Sequence, residues 1–186
     1  MFSADYIQSM GFAIATFAGG CFWCMQPPFD ALEGVVETTV GYTGGNTTAP
    51  TYEQVSSGTT GHTEAVRVVF NPRKISYQEL LEVFWRNIDP TNAQGQFADR
   101  GSQYRTGIFY HSDEQRVLAE KSRQQLADSK VFDRPLVTPI SASGPFYEAE
   151  EYHQFYYRKK TLHYQQYKVG SGRSAFLKKH WGEPHP

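Results

Sequence analysis

Cysteine is scarce in this chain of 186 residues: there are two, Cys21 and Cys24, three positions apart. So few exclude a disulfide-built scaffold and suit a reducing compartment, so a cytoplasmic location is expected. No second cysteine pair is present to complete a zinc site, and the six histidines do not fall at zinc-finger spacing. Neither a metal nor another cofactor is expected. No apolar run reaches the ~18 residues of a membrane-spanning helix. The apolar run at 11–18 follows MFSADYIQSM, which lacks the positive segment a secretory signal needs. A membrane partner is not expected. Basic residues are missing from the first third: no Lys or Arg precedes Arg67, while six acidic residues lie there. All 18 basic residues fall in the remainder, against 13 acidic ones. A basic neighbour in sequence therefore cannot activate a thiol at Cys21. The net charge of −1 leaves no bulk field to draw nucleic acid. Internal repeats and domain linkers are absent too.

What is present suits one folded catalytic domain over 1–186, with its core over about 12–182. Hydrophobic residues make up 39% and charged ones 20%, the balance of a globular protein. Residues 1–12 read as a frayed lead-in. Residues 13–18 read as a strand, 22–32 as a short helix ending near Gly34, and the alternating 35–42 as a strand. A long polar loop, rich in Gly and Thr, covers 43–63, and its length suggests function. Residues 64–70 read as a strand. Ser76 and Glu79 form a capping box, and Leu80, Leu81, Phe84 and Trp85 give that helix one apolar face. A second polar loop covers 91–104, and 106–111 reads as a strand. A helix follows from Ser112 to about 129, with Val117, Leu118 and Leu126 inward. A further strand is expected at 135–141, a helical aromatic stretch at 146–158, and a last helix at 174–180. The order β-α-β-β-α-β over 13–111 predicts an α+β fold: a mixed or antiparallel sheet with packed helices, a split β-α-β (ferredoxin-like) core, and C-terminal helices and coil.

The chain is organised around Gly19-Gly20-Cys21-Phe22-Trp23-Cys24. An apolar strand runs into two glycines, and a thiol stands at the start of a helix. Free N–H groups and the positive dipole end there favour the thiolate. A helix end contributes only ~0.3–1 kcal/mol, less than one pH unit, so ionisation of Cys21 also needs proton transfer coupled to substrate. Read alone, the pair is also compatible with small buried hydrophobes or with a C-x-x-C redox centre. Thioredoxin-like domains usually place Trp before the first Cys, whereas Trp23 lies between the two.

GGCFWC resembles the active-site motif of A-type peptide methionine sulfoxide reductases. Tyr52-Glu53-Gln54-Val55, Gly61-His62-Thr63-Glu64-Ala65-Val66, Asp99-Arg100-Gly101-Ser102-Gln103-Tyr104-Arg105 and Tyr152-His153-Gln154 resemble further family motifs, in the family's order. The resemblance implies reduction of the S epimer of methionine sulfoxide, free or in proteins. Cys21 would attack sulfur, and Glu64 would supply a proton from a carboxyl kept neutral by burial. Tyr52 and Tyr104 would donate hydrogen bonds to the sulfoxide oxygen. Phe22 and Trp23 would hold the S-methyl, and Asp99 would orient substrate or loop. His153 is left outside this set. A sulfenic acid on Cys21 would pass to a disulfide that thioredoxin reduces. Residues 141–186 hold no cysteine, so Cys24 is the internal resolving candidate.

Two other classes fit parts of the sequence. A general C-x-x-C disulfide oxidoreductase would leave Glu64, Tyr52 and Tyr104 without a task. A non-catalytic peptide-binding module would hold inert buried thiols.

Overall fold

The computed structural model describes residues 2–182. Residues 4–9 are not frayed: Ser3 caps a short helix α1 (Ala4–Ser9), its side chain accepting from the Tyr6 N–H, and Ile7 is buried. Strand β1 (Ala13–Gly19) leads through Gly20 into α2 (Phe22–Asp30), and β2 (Val35–Thr43) follows. The polar segment beyond β2 contains a helix, α3 (Tyr52–Ser56), closed by a Thr51/Gln54 capping box that the sequence reading overlooked. Next come β3 (Thr63–Phe70) and α4 (Tyr77–Trp85), the latter with the expected Ser76/Glu79 box. The second polar loop holds a two-residue ribbon, β4 (Gly95–Gln96) and β5 (Asp99–Arg100), then a 3-10 turn at Ser102–Tyr104. β6 (Thr106–Tyr110) and α5 (Asp113–Asp128) lie as expected.

Beyond α5 the sequence expectations fail in places. The strand expected at 135–141 is confined to β7 (Ile140–Ala142). The stretch expected to be helical from 146 opens as a strand, β8 (Phe146–Glu148), because β2 offers its free edge there. Only α6 (Tyr156–Lys159) is helical in that stretch. α7 (Thr161–Gly170) was not foreseen, and α8 (Arg173–Trp181) ends the described chain. Val117 points outward, 52% exposed, while Leu126 is buried. The i, i+3 and i+4 neighbours on α5 already supply the face that α4 covers, and Val117 lies off that face.

The fold is α+β, with a mixed sheet in the order β7-β6-β1-β3-β2-β8. All neighbours are antiparallel except β6 and β7. β3 lies between β1 and β2, so the β1-α2-β2 unit is split by the strand that follows it. One sheet face carries Phe17, Val66, Val68 and Ile108 into a core shared with Phe29 of α2 and Leu80, Leu81 and Phe84 of α4. The Phe17 ring stacks on Phe29 and on Phe84, each at 5.1 Å between centroids. That stack fixes β1 against α2 and so fixes the turn between them. No helix among the described residues is long and apolar enough to cross a membrane.

Candidate active site

The β1-α2 turn is tight. Gly20 has φ +83°, and a Cβ there would come within 2.5 Å of Gln96 Cβ. A side chain is excluded on both counts. The turn delivers Cys21 to the N-cap of α2, where it is 6% exposed. Cys24 is one helical turn on and also buried, and both thiols are free. Cys24 N–H donates to Cys21 O at 3.0 Å.

Glu64 stands on the same sheet face. It is the second residue of β3 and pairs across the ladder with Tyr42 of β2. It is 2% exposed, and its Oε2 accepts the Phe22 N–H at 3.0 Å. The free amide expected to favour a Cys21 thiolate is thus occupied by Glu64. Burial pushes the Cys21 thiol well up, and the hydrogen bond it shares with Cys24 adds to this. The helix-end expectation is corrected accordingly: desolvation outweighs the dipole. Burial also pushes Glu64 up to about 8, against the lowering effect of the Phe22 N–H. Its carboxyl is therefore protonated at neutral pH. Cys24 moves the other way, to about 7, because Cys21 hydrogen-bonds to it and Arg173 and Lys168 add positive charge.

The aromatic residues enclose this pair of thiols. Phe22 packs on Tyr42 at 5.9 Å and on His153 at 5.1 Å. Trp23 stacks flat on Tyr156 at 3.9 Å, and its indole N–H donates to His153 Nδ1 at 3.0 Å. That bond places the His153 proton on Nε2, and burial lowers the ring's basicity. Tyr52 opens α3 and lies 4.5 Å from the His153 ring. Its N–H donates to Glu150 Oε1 at 2.8 Å, and Tyr42 Oη donates to Glu150 Oε2 at 2.8 Å. Tyr104 ends the 3-10 turn. Burial raises both phenols, and the nearby Glu64 charge adds to this for each. Both hydroxyls are therefore donors throughout the neutral range. Asp99, on β5, accepts from Tyr167 of α7, and burial raises its carboxyl.

All eight sequence-predicted residues thus surround one locus, drawn from α2, α3, β3, β5 and the 3-10 turn. Contributors from the C-terminal segment that escaped the sequence reading include Glu150, Tyr156, Tyr167 and Arg173. Nothing local marks them, because each reaches the locus from the C-terminal segment. Among the described residues no group of His, Cys, Asp and Glu could hold a metal ion. A protonated carboxyl, two phenols and a buried thiol can together accept an oxygen atom from a polar S–O group.

Comparison with known proteins agrees with this chemistry. The family model described as Peptide methionine sulfoxide reductase matches residues 13–185. The curated relative "Peptide methionine sulfoxide reductase MsrA" of Bacillus subtilis is 59% identical over 169 residues, 91% of this chain and 96% of that one. Mxr1 of Saccharomyces cerevisiae in reduced form aligns with a TM-score of 0.76 at 33% identity, covering 81% of this chain and 86% of that one. Mxr1 in complex with Trx2 aligns at 0.56 and 26% identity, over 78% and 84%. With the match spanning sheet, helices and both cysteines, the chain belongs to the peptide methionine sulfoxide reductase family.

Proposed function

We propose that the chain reduces the S epimer of methionine sulfoxide, free and in proteins, as a single catalytic unit cycling through Cys21 and Cys24. The observation that carries this is the neutral Glu64 carboxyl bonded to the amide of the residue after Cys21. Disulfide exchange develops no negative oxygen and so does not call for Glu64, Tyr52 and Tyr104 together as donors. A sulfoxide needs such donors, because its oxygen gains negative charge as sulfur is attacked.

In the first step the Cys21 thiolate bonds to the sulfoxide sulfur while Glu64 protonates the oxygen. Tyr52 and Tyr104 donate to the same oxygen. Phe22 and Trp23 flank the S-methyl, and Asp99 holds the Tyr167 side of the pocket. The oxygen then passes to Cys21, the Cys21–substrate bond breaks, and methionine leaves. Cys21 is now a sulfenic acid, and Glu64 regains the proton that Cys21 released. Cys24 displaces water from the sulfenic acid and forms the Cys21–Cys24 disulfide. Thioredoxin, the partner class seen with the yeast relative, returns two thiols in a reducing cytoplasm.

Separated epimers distinguish this reading from its rivals. The wild type should convert one epimer to methionine with loss of both thiols, and Cys21→Ser should convert neither. Cys24→Ser should release about one methionine per chain without added thiol, and then stall with thioredoxin. Fast cycling of Cys24→Ser with thioredoxin would make Cys24 structural. Equal rates on both epimers would remove the stereochemical assignment.

A further inference from the structure

The helix that carries Tyr52 is too short to hold itself in place. α3 has five residues, and its Thr51/Gln54 capping box forms the turn without aiming it. The base of its loop is closed by the Asn46 N–H on Thr60 O and the Gly45 N–H on His62 Nδ1, each at 3.1 Å. Val55, 1% exposed, seats the middle of the helix. About a single seat a five-residue helix can pivot unless its ends are tied. Among the described residues two hydrogen bonds reach α3 from outside its loop. At the far end Gln103 Nε2 donates to Ser56 O at 3.0 Å. At the near end the Tyr52 N–H, a helix-start amide with no partner inside the helix, donates to Glu150 Oε1 at 2.8 Å.

Glu150 is itself held. Its Oε2 accepts the Tyr42 hydroxyl at 2.8 Å, and Tyr42 is fully buried on β2. On either side of Glu150 the chain is fastened to the edge of β2. The Ala149 N–H donates to Val40 O at 3.0 Å. The Gln154 amide accepts the Val40 N–H at 3.0 Å and donates to Val40 O at 2.8 Å and Ala149 O at 2.9 Å. Burial opposes ionisation of the Glu150 carboxyl, but the groups donating to it outweigh burial. It titrates below its ordinary value and stays an acceptor at neutral pH. Tyr42 is also the cross-strand partner of Glu64. One strand position thus locates the acid directly and, through Glu150, the start of α3.

We propose that Glu150 is a positioning residue for the first step: seated on Tyr42, it fixes the start of α3 so that the Tyr52 hydroxyl meets the sulfoxide oxygen that Glu64 protonates. This rests on the reading that Tyr52 donates to that oxygen. Glu150 acts through Tyr52 and not on the substrate, since each of its oxygens is already taken by a tyrosine. The tie at the other end of α3 comes from Gln103, next to Tyr104, so the two phenols are placed by different anchors.

The methionine burst, followed across sulfoxide concentration, tests the bridge. Glu150→Ala removes it. The saturating rate should fall about tenfold, the loss expected for the Tyr52 hydroxyl itself. The half-saturating concentration should change little, because a donor to developing charge acts on the transition state. Glu150→Gln keeps the bridge: its oxygen accepts the Tyr52 N–H and its amide donates to the Tyr42 hydroxyl. That variant should stay within about threefold of wild type, the loss being one of charge assistance alone.

Double variants separate aiming from loosening. In a Tyr52→Phe chain, Glu150→Ala should cost less than about twofold, because the hydroxyl it aims is gone. In a Tyr104→Phe chain the same change should cost about tenfold or more, because it misplaces the sole remaining phenol. Loosening of the whole site would slow both backgrounds alike. An equal loss in the two backgrounds therefore overturns the proposal, as does a wild-type rate in Glu150→Ala. An equal loss in Glu150→Gln and Glu150→Ala also overturns it, and moves the role from geometry to charge. If Glu150→Ala does not fold, Tyr42→Phe removes only the seat of the bridge. It is carried through the same two backgrounds, with the same contrast expected and the same equal loss overturning the proposal. Tyr52→Phe at the wild-type rate would remove the donor reading and the proposal with it. A slow Tyr52→Phe beside a fast Glu150→Ala would remove the proposal alone.

Discussion

Glu64 and Cys21 are two acids that compete for one proton. Burial holds the carboxyl at about 8 and the thiol higher still. At pH 7 both are protonated. In the proposed first step the attacking form carries its charge on Cys21 and its proton on Glu64, one proton fewer than the resting form. Loss of that proton follows the lower of the two values, so the reactive population rises with pH, is half formed near pH 8 and levels off about one unit above. The methionine burst in Cys24→Ser, where Cys24 does not titrate, should show this rise and plateau in kcat/KM between about pH 6 and pH 10. A profile already flat at the acid end would contradict it. Glu64→Gln keeps the shape without the proton. It should slow the burst roughly 10²–10⁴-fold and remove the inflection. Tyr52→Phe and Tyr104→Phe should each cost only about tenfold, less than loss of a sole donor, because the second hydroxyl remains. Stopped-flow burst rates rank the three, and a larger loss for either phenol would exchange its role with Glu64.

At the scale of elements, the β1-α2 turn is the critical joint. Gln96, the residue that a Gly20 side chain would strike, is itself fixed. Its Oε1 accepts the Asp89 N–H at 2.8 Å, and its amide nitrogen donates to Asp89 O at 2.8 Å and Gly95 O at 2.9 Å. It cannot move aside cheaply. Gly20→Ala should therefore lose about 1–2 kcal/mol from the left-handed backbone alone, with the collision adding to it. Cys21 should be displaced relative to Glu64 as well. The measurements are a thermal melt and the methionine burst, and both should fall. A melt that falls with the burst intact would mean the thiol is held by α2 and not by the turn.

Across the whole molecule, stability and chemistry share one core. Phe17 is fully buried, and its stack on Phe29 and Phe84 ties the sheet to α2 and α4. Phe17→Ala should cost about 3–5 kcal/mol. Because that stack seats the helix bearing both cysteines, thermal inactivation should track unfolding along a single curve in wild type and variant alike. Activity lost well below the melting transition would show a site that loosens before the core. The site also depends on the last quarter of the chain, where Glu150, His153, Tyr156, Tyr167 and Arg173 close around α2. Asp30 at the end of α2 is tied to Tyr157 and Arg158 in the same way.

Much of this was determined by sequence alone. Period and punctuation located β1, α2, β2, β3, α4, β6 and α5, because each is defined by contacts within a few residues: alternation, capping boxes, and Gly or Pro at the ends. The eight candidate residues were legible through ordered motifs. Tertiary structure decided the rest, because it depends on what lies opposite. β8 is a strand because β2 has an edge to pair, although its sequence reads as helical. Cys21 sits at a helix start, yet its amide neighbour serves Glu64 and burial outweighs the dipole. The unequal character of the two thiols comes from the burial of Cys21 and from the hydrogen bond between the two, and the charge of Arg173, about 150 positions away in sequence, adds to it for Cys24.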